Sequence, residues 1–151
     1  MDSKSLTQIG FKRFGEFNYE CIKDKNSTIN FPGVYVFILN RSFSRLQGKT
    51  DILYIGQSGG RSPRGRPIIE RMNDYLRAYK SAPQDKRIGD SLNMIKTKVR
   101  IGRILKNPLL KNKVYIFYKK LSPDQCKKEE SDLLKKYSED HIELPPLNRQ
   151  S

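Results

Sequence analysis

Val34-Tyr35-Val36-Phe37-Ile38-Leu39 is apolar at six successive positions. Alternate residues of a strand point to opposite faces, so such a run belongs in a strand covered on both sides. A fold with layers above and below this segment is therefore the first requirement. Ile52-Leu53-Tyr54-Ile55 repeats the character and stops at Gly56. The polar stretch 40–51, containing Gly48, returns the chain, and strands joined in this way most often pair antiparallel. Val114-Tyr115-Ile116-Phe117-Tyr118 reads as a third strand.

Helical spacing separates these strands. Ile68, Ile69, Met72, Tyr75, Leu76 and Tyr79 share one face, which predicts an amphipathic helix over 68–80 that Pro83 ends. A weaker helical pattern runs from Arg87 to Leu105. Ser122, Pro123 and Gln125 have the spacing of a capping box and predict a final helix to about Tyr137, after which Pro145-Pro146 closes the domain. At 151 residues the chain has room for one domain. Its first 30 residues carry no visible chemistry and are read as an N-terminal extension of unknown role, with the domain proper at 31–151. Within that extension Phe11, Phe14 and Phe17 suggest one apolar patch, and 18–24 suggests a short strand.

The formal net charge is +14, and residues 61–120 hold seventeen Lys/Arg against four acids, a net +13. A field of this size favours a polyanion, because each phosphate neutralised releases counterions. The competing readings are a lysine-rich solvated surface and an acidic membrane, but no basic amphipathic helix with bulky apolar residues supports the latter. No run approaches the ~18 apolar residues of a membrane helix, and the N-terminus lacks a secretory signal. Cys21 and Cys126 stand in no metal-ligand spacing and read as reduced thiols. A cytoplasmic protein is expected.

On a helical wheel Cys126, Leu133, Leu134 and Tyr137 form one stripe that must face the sheet, and Glu130 falls inside it. Glu129 lies to one side and Asp132 on the far face. A carboxylate aimed at a core costs several kcal/mol unless it is paired, protonated or bound to a cation. For an isolated helix, a rim glutamate paired with one of the thirty basic residues would be the simpler reading.

Gly33-Val34-Tyr35 and Tyr54-Ile55-Gly56, on successive strands, resemble the two halves of the signature of the GIY-YIG nuclease superfamily. Glu130-Ser131-Asp132-Leu133-Leu134 and Pro145-Pro146-Leu147-Asn148 resemble its glutamate helix and its terminal segment. The resemblance spans residues 31–148. The loops between and after the two half-motifs are longer here than in the family, and Gln57 stands where several members carry lysine. The superfamily includes homing endonucleases, the incision module of bacterial nucleotide-excision repair and some restriction enzymes.

The resemblance implies an α+β fold with a small central three-stranded antiparallel sheet flanked by helices. It also implies a metal-dependent endonuclease acting on DNA, double-stranded DNA above all. Glu130 would hold Mg²⁺ (or Mn²⁺), Arg71 would supply a planar guanidinium to the phosphate, and Tyr35 and Tyr54 would share the role of base. Asn148 would order the site from behind. Arg64 and Arg66 compete with Arg71 for the catalytic role, and with Arg61 they could contact nucleic acid. Tyr75, one turn after Arg71, could add a phosphate or water contact or serve as core. His141, the only histidine, is expected at the surface. Within the enzyme class a compact restriction-type or phage-type nuclease is the closer analogy. A structure-specific repair nuclease, a binding module on the same fold that cuts nothing, and a basic partner of an acidic protein are the alternatives.

Overall fold

The computed structural model describes residues 1–60, 64–81 and 97–148. Its strands are β1 (Lys12–Glu16), β2 (Gly33–Ser44), β3 (Lys49–Gln57) and β4 (Val114–Lys120), and its α-helices are α1 (Ser3–Gln8), α2 (Tyr19–Asp24), α3 (Ile68–Ser81), α4 (Thr97–Leu105) and α5 (Pro123–His141). The strands form one antiparallel sheet in the order β1-β4-β2-β3. The fold is α+β, but the sheet has four strands where three were expected.

β2 is central, as its doubly apolar run requires. Val34, Val36 and Ile38 face α1 and α5, where they meet Leu6, Leu133 and Tyr137. Tyr35, Phe37 and Leu39 face the opposite layer, where they meet Ile68, Met72 and Tyr75 of α3 and Ile101 and Leu105 of α4. All six are buried, each worth ~1.5–3 kcal/mol relative to exposure. No helix is long and apolar enough to cross a membrane among the described residues.

The fourth strand comes from the first 30 residues. Lys12-Arg13-Phe14-Gly15-Glu16 has one apolar residue and a glycine, so no alternation betrays it. Pairing with β4 skips Phe14, a bulge, and Gly15 sits at φ +149, with Cys21 Sγ where a Cβ would project. Phe14 and Phe17 join the α3 side of the core and Phe11 joins the α5 side, so the three do not form one patch. Residues 18–24 are a capped helix rather than a strand. Asn18 Oδ1 accepts from Cys21 N at 2.7 Å and so starts α2, which buries Ile22.

α5 also departs from expectation at both ends. Ser122 occupies the N-cap position without a side-chain bond, so no capping box forms, although Pro123 does open the helix. The helix runs on to His141, which is buried. Its Nδ1 lies 2.8 Å from Gln47 O and its Nε2 3.1 Å from Met1 O, partners invisible to local sequence. α4 covers the end of the 87–105 pattern, and the beginning lies outside the described residues.

Beyond α5 the chain turns back along the outer side of β3. Leu147 N donates to Leu53 O at 2.9 Å. The Asn148 amide then spans the Ile55 peptide groups, accepting from Ile55 N and donating to Ile55 O, each at 2.9 Å. Arg100 donates to Leu147 O from the α4 side. The turn at 145–148 thus takes up, through Leu147 and Asn148, bonding positions on β3 that a neighbouring strand would use.

Candidate active site

Two features of the β2–β3 pair bring tyrosines together. Phe37 pairs with Tyr54 and Ile38 with Ile52, leaving Leu53 as an extra residue. That bulge puts Leu53 and Tyr54 on the α3 side while Ile52 and Ile55 face α5. Tyr35 lies opposite Gly56, and the missing side chain matters: a Cβ on Gly56 would come within 2.7 Å of both tyrosine rings. The glycine of the second half-motif is therefore required by the closing of Tyr35 and Tyr54 over it. Gly33 has a comparable role, because a Cβ there would enter Lys119 O and press on Ile68 Cδ1 at 2.9 Å.

α3 adds the third hydroxyl and the cation. Tyr35 Oη lies 2.7 Å from Tyr75 Oη, Tyr75 donates to Tyr54 Oη at 3.3 Å, and Arg71 Nε donates to Tyr35 Oη at 3.4 Å. Each phenol has one proton. With the Tyr75 proton directed to Tyr54, the 2.7 Å contact must be donated by Tyr35, which itself accepts from Arg71. The relay thus has one direction, Arg71 to Tyr35 to Tyr75 to Tyr54, and leaves the Tyr54 proton unassigned to any of them. Burial raises the pKa of all three phenols, so each is protonated at neutral pH. For Tyr54 this rise is opposed by the hydrogen bond from Tyr75 and by the charges of Arg71 and Arg100. Burial disfavours the Arg71 cation, but the surrounding phenols outweigh this and hold its pKa above the ordinary value.

Tyr75 is fully buried and its hydroxyl is committed to the other two tyrosines. It belongs to the relay and does not present itself to nucleic acid, contrary to the direct contact considered from sequence. Arg66, in the loop just before α3, is likewise engaged by that helix, by Glu70 Oε2 at 3.2 Å and Asp74 Oδ2 at 3.1 Å. Arg64 is exposed at the end of the loop, and Arg61 lies outside the described residues.

α5 contributes the carboxylate. Of the three acids in its middle, Glu129 pairs with Lys119 at 3.2 Å and Asp132 with Lys128 at 2.9 Å. Glu130, half-buried, makes no hydrogen bond or ion pair among the described residues. Burial raises its pKa, opposed by the charges of Arg71 and Lys127, and its own charge in turn acts on Tyr54. The five residues singled out by the sequence (Tyr35, Tyr54, Arg71, Glu130 and Asn148) therefore converge on one end of β3. The first four meet through side chains or charge, and Asn148 through the Ile55 backbone.

One participant escaped the sequence reading. Asp74 is a charged residue only 6 % exposed, and it holds Arg66, Arg77 and, at 3.9 Å, Arg71. Its spacing of three from both Arg71 and Arg77 was the available signal.

Asn148 yields a direct test of this arrangement. Asn148→Asp keeps the acceptor for Ile55 N but turns a carboxylate toward Ile55 O, leaving that carbonyl without its donor. We expect a loss of ~1–3 kcal/mol in thermal unfolding. Melting unchanged from the wild type would show that the amide does not hold β3.

No family model, curated protein or solved structure matches this chain.

Proposed function

We propose that this chain is a metal-dependent endonuclease hydrolysing DNA phosphodiester bonds, of the GIY-YIG type. The observation that carries the reading is Glu130. It is a half-buried carboxylate with no ion pair among the described residues, beside two α5 acids that have theirs, and its charge is coupled to that of Arg71, which opens a directed relay of phenols.

The donor set fits one hard divalent cation bound through a carboxylate and waters. Among the described residues there is no cluster of three or more His, Cys, Asp or Glu, so the ion would be held by the single Glu130 carboxylate and waters, a mode that Mg²⁺ or Mn²⁺ accepts. When bound at Glu130, such an ion supplies Lewis acidity and stabilisation of the leaving oxygen. Everything else is assigned to side chains. Arg71 spends Nε on Tyr35, has Nη1 3.9 Å from Asp74, and offers the remaining donors of its planar fork to the phosphate, whose charge grows in the transition state. Tyr54, 7 % exposed where Tyr35 is fully buried, acts through its minor phenolate form: having given its own proton to solvent, it takes that of the attacking water and returns to the phenol. The hydrogen bond from Tyr75 and the charges of Arg71 and Arg100 favour the oxygen anion this requires. Tyr35 keeps the relay polarised by accepting from Arg71 and donating onward. The basic region 61–120 supplies the field that draws the polyanion in.

Supercoiled plasmid incubated with purified protein tests this reading. Nicked or linear product is expected with Mg²⁺ or Mn²⁺ and none with chelator. Plasmid left intact under all conditions, while still bound by the protein, would replace the nuclease with a binding module.

A further inference from the structure

A second recess lies on the same side of the sheet, at the far end of α3. It holds about 90 Å³ and is lined by Phe17, Tyr19, Tyr79, Lys80, Lys111 and Asn112, among others. About 10–15 Å³ of such space holds one water, so there is room for roughly six waters, the size class of one planar heterocycle. Its walls are apolar, part aromatic and part aliphatic, and its rim is basic. Tyr79 is held edge-on against Phe17, with centroids 6.1 Å apart, while Tyr19 is 49 % exposed. Lys80 Nζ lies 3.9 Å from the Tyr19 centroid and Lys106 Nζ 5.7 Å from that of Tyr79. No carboxylate lines the recess among the described residues.

We propose that this recess receives one unpaired nucleobase of the DNA held at the candidate active site, so that the substrate class is a duplex carrying an extrahelical nucleotide. Aromatic rings offer stacking to any base, and lysines at the mouth meet the flanking phosphates. The incoming base takes the place of the Lys80 ammonium over Tyr19, which frees that charge for a phosphate. The Asn112 amide supplies a donor and an acceptor for the edge of the base. From Arg71 to Lys80 is nine residues of helix, ~14 Å at 1.5 Å per residue. At ~3.4 Å per nucleotide along one strand, the extrahelical position falls about four nucleotides from the phosphate at Arg71. The inference rests on the DNA-binding part of the proposed function and not on cleavage.

Binding is measured by fluorescence anisotropy in chelator, so that no duplex is cut. Three labelled duplexes are compared: fully paired, with one bulged thymine, and with the same bulge made abasic. The wild type is expected to hold the thymine bulge ~10-fold more tightly than either of the others. The abasic bulge bends as freely but has no base to stack. Tyr19→Ala should remove the preference while leaving affinity for the paired duplex and the melting temperature unchanged, and Tyr19→Phe should restore it. Equal affinity for thymine and abasic bulges, an undiminished preference in Tyr19→Ala, or no binding to any duplex would each overturn the proposal. Loss of plasmid cleavage with the bulge preference intact would instead remove only the nuclease reading.

Discussion

Glu130→Gln is expected to lower Mg²⁺-dependent cleavage by at least ~10³-fold while DNA binding survives, because the ligand is lost and the shape is kept. The same substitution should stabilise the fold. Burial holds the folded-state pKa of Glu130 above its unfolded value, so the folded state disfavours the charged form. That penalty is fully present above the raised folded pKa. It fades as pH falls through that value and is gone below the ordinary glutamate range. The melting temperature of Glu130→Gln should therefore exceed that of the wild type at neutral pH, and the gap should close in acid. The two readouts separate a functional carboxylate from a structural one, since a structural acid would lose stability when neutralised. Full cleavage by Glu130→Gln together with loss in Glu129→Gln would move the metal to the neighbouring residue, despite the ion pair of Glu129 with Lys119.

Arg71→Lys should cost cleavage ~10²–10³-fold and change DNA affinity by no more than ~3-fold. The reason is geometric. Arg71 uses Nε to polarise Tyr35, has Nη1 near Asp74 and keeps Nη2 for the phosphate, whereas one ammonium cannot do all of this from the same backbone position. Lysine keeps the charge, so long-range attraction and binding persist. Arg66→Ala is the control, because Glu70 and Asp74 already occupy that side chain. If Arg66→Ala abolished cleavage and Arg71→Lys cleaved normally, the catalytic arginine would belong to the loop end and the phenol relay would be structural.

The parts legible in the sequence were those written in short-range pattern. Three strands, α3 and α5 follow from periodicity, and the misplaced polarity of Glu130 stood out on a helical wheel without any tertiary knowledge. β1 was not legible, because its single apolar residue sits in a bulge whose partner is a hundred positions away. His141 looked like a surface residue because its partners, Gln47 and Met1, are supplied by distant backbone. Asn18 was misread for a different reason. Its cap serves a helix so short that no period could establish itself, and the capping residue was the only local sign. The tyrosine relay sits between these cases. Sequence selected Tyr35 and Tyr54, but the order of the hydrogen bonds and the committed place of Tyr75 depend on the Leu53 bulge and the space at Gly56.

The tail laid along β3 has a consequence of another kind. An uncovered outer strand displays a row of free amides and carbonyls that a second chain can extend, and long apolar strands are the most adhesive. Ile52-Leu53-Tyr54-Ile55 is such a segment, low in charge and high in β-propensity. Leu147 and Asn148 occupy its bonding positions at Leu53 and Ile55. The amide that steadies the candidate catalytic strand thereby also keeps that strand from recruiting copies of itself, so the pressures for activity and against aggregation fall on the same residue.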